Sequence, residues 1–140
     1  MHTVGMPTIL VVDDSAQDRK PLAKLLKVHG YDVLAASNAY EAMAAAKRQQ
    51  PDLIVLDVML PPVDGLTFLM LLRQDGTGAN IPVIVLTGLD DQNTVSRAEN
   101  LGVKEILIKA EFDPCRLLEL IDKHLKTEIQ SVPLSPPPTV

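Results

Sequence analysis

The stretch PDLIVLDVMLPPVDG, residues 51–65, decides the fold. Within it, Leu53–Leu56 is an unbroken apolar run, too short for a helix and without polar alternation, so it reads as a strand covered on both faces. Asp57 follows at once. Four further short runs frame it: Thr8–Val12 (TILVV), Asp32–Ala36 (DVLAA), Pro82–Leu86 (PVIVL) and Lys104–Ile108 (KEILI). Most are rich in Val and Ile and flanked by turn or cap residues, as strands are.

Helical spacing fills the gaps. Leu22, Leu25, Leu26 and His29 make one stripe, closed by Gly30. Pro21 falls inside this pattern, which predicts a late start with Gln17 or Asp18 near the N-cap, where backbone N–H groups have no intrahelical partner. A second helix opens with Asn38 and carries Glu41 three residues on, a capping-box arrangement. A third spans about Leu66 to Gln74, a fourth about Asp91 to Leu101 with Gly102 as its stop. The fifth begins at Asp113 as N-cap with Pro114 in the first helical position. Strands alternating with helices five times predict an α/β fold, (βα)5 and doubly wound, with a parallel five-stranded sheet. The order 2-1-3-4-5 is the flavodoxin-like one.

The chain has 140 residues, so one domain is expected, over 7–126; residues 127–140 hold Pro133 and Pro136–Pro138 and read as an extended or disordered tail. A net charge of −5 argues against a surface that grips nucleic acid or anionic lipid, so neither direct DNA binding nor membrane insertion is expected. No apolar run reaches membrane-spanning length and no secretory signal is visible, which makes the cytoplasm the expected compartment. The lone Cys115 can form no intramolecular disulfide and reads as a small core or boundary residue. His2, His29 and His124 read as solvated or tail residues.

In a parallel α/β sheet, ligands bind beyond the carboxyl ends of the strands. The first strand ends in Asp13-Asp14-Ser15, the third in Asp57, the fourth in Thr87-Gly88 and the fifth in Lys109. Each taken singly has a bland explanation as a turn, a cap or a surface charge. Their conjunction gathers three carboxylates, a hydroxyl and an ammonium at one cleft. Crowded carboxylates repel, and a divalent cation relieves them; oxygen donors without His or Cys suit magnesium. Lys109 and Thr87 suit phosphoryl oxygens.

At this point the sequence resembles the response-regulator receiver domain of two-component signalling, through ILVVDDS (9–15), PDLIVLDVMLPPVDG (51–65), PVIVLTG (82–88) and GVKEILIK (102–109). The resemblance implies that Asp57 is the phosphoacceptor and that Asp13, Asp14, Asp57 and the Met59 carbonyl hold Mg2+. It implies that Thr87 is the switch hydroxyl, Lys109 the phosphoryl-binding lysine, and Gly65 the glycine after the Asp-Gly turn. The implied donor is a phosphohistidine on a histidine kinase or phosphotransfer protein. Output would pass by contacts with a downstream protein, and a homodimer is left open.

Two positions depart from that pattern. Ile106 stands where an aromatic residue is common, so no aromatic rotamer switch exists there. Ala110 stands where a proline is common after the lysine. A cis bond to a non-proline residue costs about 2.5–4 kcal/mol, so a trans bond or a rearranged loop is expected. In the family that the chain resembles, the residues two beyond the phosphoacceptor and two beyond the switch hydroxyl influence hydrolysis. Here they are Met59 and Leu89, apolar and unable to hold an attacking water, so the resemblance implies a long-lived phosphoryl form. The third helix is apolar nearly all round (Leu66, Phe68, Leu69, Met70, Leu71, Leu72), reading either as well buried or as an exposed patch. Two other functions stay open. One is a haloacid-dehalogenase-like phosphohydrolase with an Asp nucleophile, against which the second acid is missing at Met59. The other is a receiver-shaped interaction module that works without phosphorylation.

Overall fold

The computed structural model describes residues 6–76, 78–88 and 91–130, with side chains through Leu125. The elements run β1 (Thr8–Val12), α1 (Ala16–Val28), β2 (Asp32–Ala36), α2 (Ala39–Gln49), β3 (Leu53–Leu56), α3 (Gly65–Gln74), β4 (Val83–Thr87), α4 (Gln92–Asn100), β5 (Glu105–Ile108), a 3-10 turn (Lys109–Glu111) and α5 (Pro114–Gln130). All strand pairings are parallel, in the order β2-β1-β3-β4-β5, as the sequence pattern predicts.

Strand alternation divides the core in two. Ile9 and Val11 of β1, with Leu53, Val55, Ile84 and Leu86, face α1 and α5. Leu10 and Val12, with Ile54, Leu56, Val83 and Val85, face α2, α3 and α4. Adjacent residues on β1, β3 and β4 thus bury in opposite directions, which is why these strands carry no polar face. The outer strands are less covered: β5 is only half-buried throughout.

Side-chain caps start the helices. The Asn38 side chain accepts from the Glu41 N–H at 2.9 Å, and the Glu41 carboxylate reaches back to the Ser37 N–H at 2.7 Å, one residue earlier than a standard capping box. Asp64 accepts from the Leu66 and Thr67 N–H groups at 2.7 and 2.9 Å, Asp91 from Thr94 N–H at 2.8 Å, and Asp113 from Cys115 N–H at 3.0 Å. Gly30 and Gly102 close α1 and α4 in the left-handed region, at φ +94° and +77°.

Several expectations need correction. α1 does not start late: Ser15 is its N-cap, accepting from Asp18 N–H at 3.3 Å, and Pro21 lies inside the helix. The N–H that Pro21 lacks would have bonded the Gln17 carbonyl, one turn from the helix start, where the exposed Gln17 leaves that carbonyl within reach of water. Cys115 is exposed rather than packed. His124 is buried, and its Nε2 lies 2.9 Å from Glu105 Oε2 on β5; His29 is exposed, and His2 lies outside the described residues. α3 buries Leu66, Phe68, Leu69 and Leu72 but leaves Met70 and Leu71 42% and 46% exposed. α5 continues to Gln130, past the boundary expected at 126; 131–140 lie outside the described residues. The Lys109–Ala110 bond is trans, and the loop winds into the 3-10 turn. No helix among the described residues is long and apolar enough to cross a membrane.

Arg73, at the end of α3, holds the far pole together. Its guanidinium donates to the carbonyls of Leu101 (3.0 Å), Gly78 (3.2 Å) and Ile81 (2.6 Å), tying α3 to the approach to β4 and the end of α4.

Candidate functional site

β1 and β3 are neighbours, but their connections diverge to opposite faces of the sheet through α1 and α3, and this opens a crevice at their carboxyl ends. The ladder carries one residue past each strand. Asp13 N–H donates to Ala36 O at 3.1 Å and Asp57 N–H to Val12 O at 2.9 Å. Both carboxylates are thereby fixed at the crevice floor, 4% and 5% exposed, while Asp14 is exposed beside them. One oxygen from each of Asp13, Asp14 and Asp57 falls within 4.8 Å of the others.

The two Asp57 oxygens are held differently. Oδ1 accepts from the Met59 N–H at 3.0 Å and from the Thr87 hydroxyl at 3.0 Å. Oδ2 accepts from Lys109 Nζ at 2.9 Å. Thr87 is the last residue of β4 and fully buried, so the register of β4 against β3 aims its hydroxyl. Lys109 follows β5 and also donates to Asp13 Oδ2 at 2.7 Å. Gly65 packs against the same loop: its N–H donates to Val58 O at 2.7 Å, and a Cβ there would stand 2.6 Å from Asp57 O and 2.7 Å from Val58 Cα. Only glycine permits that approach.

Burial pushes the Asp13 carboxyl pKa up, and the Lys109 hydrogen bond and the Ser15 N–H oppose the rise. Burial disfavours the Lys109 ammonium, but the hydrogen bonds to Asp13, Asp18 and Asp57 outweigh it and hold its pKa above the ordinary amine value. The cleft therefore holds a fixed cation among carboxyl groups, with oxygen donors of the kind a hard divalent cation takes.

The structure brings together Asp13, Asp14, Asp57, Thr87 and Lys109. The Met59 backbone is at the site through its N–H, and its side chain is 51% exposed. Leu89 lies outside the described residues. Two participants escaped the sequence reading. Asp18 Oδ2 lies 2.8 Å from Lys109 Nζ, and Arg19 donates to the Asp13 carbonyl at 2.8 Å. Assigning α1 a late start hid both. With Ser15 as N-cap, Asp18 sits in the first turn and faces the crevice.

A family profile for the response regulator receiver domain matches residues 9–122. Protein PilH of Pseudomonas aeruginosa is 32% identical over 120 residues, covering 86% of this chain and 98% of PilH. The DNA-binding dual master transcriptional regulator RpaA of Synechocystis is 39% identical over 121 residues, 86% of this chain but 50% of RpaA. The chain spans about half the length of RpaA and of other curated regulators it matches. Among solved structures, CheY4 of Vibrio cholerae superposes with a TM-score of 0.79 at 28% identity, covering 85% of this chain and 98% of CheY4. The CheY-like receiver domain protein of Methanospirillum hungatei reaches 0.84 at 24% identity, with 91% and 99% covered, and shows the shared fold. Fold, crevice and these matches agree: the chain belongs to the response regulator receiver domain family of two-component signalling.

Proposed function

We propose that this chain is a phosphorylation-dependent signalling switch in which Asp57 accepts a phosphoryl group from a phosphohistidine on a histidine kinase or phosphotransfer protein. The observation that carries the reading is the pair of contacts on one carboxylate: Lys109 Nζ on Asp57 Oδ2 and Thr87 Oγ1 on Oδ1. Neither group caps a helix. Both are cationic or neutral donors suited to phosphoryl oxygens.

Two donors occupy Oδ1 and one occupies Oδ2, which leaves lone-pair capacity on Oδ2 for attack. The Asp57 oxygen forms the O–P bond as the donor's P–N bond breaks, and the leaving imidazole takes up a proton. Lys109 neutralises charge on the transferring oxygens. Asp13, Asp14 and Asp57, with the Met59 carbonyl, are the residues that would hold Mg2+. The all-oxygen chemistry of the set, and the mutual reach of the three carboxylates, fit that ion. Bound there, the ion supplies positive charge opposite the phosphoryl oxygens.

The product carries up to about two negative charges, about one more than the carboxylate it replaces. Thr87 already points at Asp57, so its hydroxyl passes from carboxylate to phosphoryl oxygen with a small shift, drawing the end of β4 with it. Lys109 divides itself among three acids before transfer and follows the new charge after it. The readout face is α4, β5 and α5, where Ile106 supplies an apolar surface without an aromatic rotamer. The signal passes in the cytoplasm to a downstream protein by contact rather than by direct DNA binding.

The test is incubation with acetyl phosphate and Mg2+, comparing wild type with Asp57→Asn. Labelling in wild type that the variant loses supports this reading. Continuous turnover of free phosphate esters identifies a phosphohydrolase instead, and no labelling identifies an interaction module.

A further inference from the structure

We propose that the open edge of β2 and the basic flank of α1 form a docking site for an extended acidic segment of a partner protein, by strand addition. This site adjoins the phosphoacceptor crevice at Arg19, which also donates to the Asp13 carbonyl, but it does not depend on the reading given for that crevice.

Arg19, Lys20, Lys24 and Lys27 line a groove of about 580 Å3 between α1 and the β2 end, with Ala35 in its opposite wall. Four of the chain's 13 cations thus face one groove in a protein of net charge −5. The groove's acid, Glu41, is already engaged by the Ser37 N–H and hydroxyl at 2.7 and 2.9 Å. Among the described residues Lys20, Lys24 and Lys27 enter no ion pair.

The second observation is the strand edge beside these lysines. β2 ends the sheet, and among the described residues no strand pairs with its outer side. Asp32 N–H donates to Pro7 O and Ala36 O accepts from Asp13 N–H, so positions 32, 34 and 36 turn their backbone groups toward β1. By alternation, Val33 and Ala35 turn theirs outward. Ala35 lines the basic groove and also turns its N–H and C=O to this outer edge, where no described residue's backbone pairs with them. A strand laid on this edge lies in the groove, with every second side chain facing α1. Those side chains are about 6.6–6.8 Å apart in a strand, and helix residues four apart are about 6 Å apart along the axis. Acids at alternate positions therefore meet Lys20 and Lys24 in register. The edge selects a peptide over a nucleic acid, because Val33 and Ala35 need both a donor and an acceptor, and a phosphodiester backbone supplies no donor.

The test titrates the terminally blocked peptide Val-Glu-Val-Glu-Val-Glu into the 15N-labelled full chain. The expected result is amide shifts centred on Val33 and Ala35, weakening with added salt. Binding drops at least about tenfold for the Gln-for-Glu peptide and for the triple variant Lys20→Glu, Lys24→Glu, Lys27→Glu. Ala35→Pro removes the outward N–H while sparing the β1 side, and is expected to abolish the shifts in a protein whose spectrum stays folded. If that variant does not fold, the Gln peptide and the lysine variant decide. No shift at Val33 and Ala35 at millimolar peptide, equal binding by the charge-reversed variant, or preference for a thymidine oligonucleotide at the same residues would overturn the proposal.

Discussion

Lys109 Nζ stands 2.9 Å from Asp57 Oδ2, joining residues 52 apart in sequence through the adjacent ends of β3, β4 and β5. The same ammonium holds Asp13 and Asp18 at 2.7 and 2.8 Å. Lys109→Ala leaves three carboxylates facing one another without their cation. A loss of about 1–3 kcal/mol is expected at neutral pH without metal, each charged hydrogen bond being worth that order. Urea unfolding measures it, and Mg2+ is expected to restore part of the loss. An unchanged midpoint would show that the acids do not need the lysine.

Asp13 gives the pH dependence. Its folded pKa lies above the ordinary value of 3.8, chiefly through burial. Within the window that opens near 3.8 and runs upward, the folded chain binds more protons at this site than the unfolded chain. Stability from Asp13 therefore falls as pH rises through that window. Unfolding of wild type and Asp13→Asn, both with chelator, is expected to favour the variant increasingly as pH rises above about 4. A gap that moves the other way contradicts the assignment.

Gly65→Ala is expected to be costly despite its small size. The new Cβ meets backbone at 2.6 and 2.7 Å, which no rotamer change relieves. Overpacking of this kind costs about 1–3 kcal/mol, and here the atoms displaced are those that carry Asp57. Both a lower unfolding midpoint and slower labelling by acetyl phosphate are expected; a variant with normal labelling would show that the Asp57 loop tolerates the shift.

Met59 exposes an apolar side chain two residues beyond Asp57 and offers nothing to hold an attacking water. The phosphoryl form is expected to be long-lived. Met59→Asn, alone and with Leu89→Asn, is expected to shorten its half-life by a factor of about ten, or about 1.4 kcal/mol in the barrier. Decay of isolated phosphoprotein followed by acid gel or mass spectrometry checks it. Wild-type decay as fast as the double variant's would remove the argument.

The crevice was legible because four apolar strands each give way to a polar residue at the carboxyl end: Asp13, Asp57, Thr87 and Lys109. The caps at Asn38 and Asp113 were legible for the same local reason, since each accepts from an N–H of the helix's first turn, whereas the Asp64 and Asp91 caps were not singled out. Pro21 misled because its rule is local while α1 is held by Leu22 and Leu26 in the core; tertiary burial outweighed one missing hydrogen bond. That error concealed Asp18. His124 was missed although it lies on the buried stripe with Leu117, Leu120, Ile121 and Leu125, because its partner Glu105 is on another element. Cys115 lies off that stripe, and its exposure follows from the helix period.

The most direct measurement maps the phosphoryl bond itself. Protein treated with acetyl phosphate and Mg2+ is reduced with borohydride, which converts an acyl-phosphorylated aspartate to homoserine, and is sequenced by mass spectrometry. The account predicts homoserine at position 57, dependent on Mg2+ and sharply reduced in Lys109→Ala. Homoserine at Asp13 or Asp14 instead, or none at any position while the protein remains folded, would contradict it.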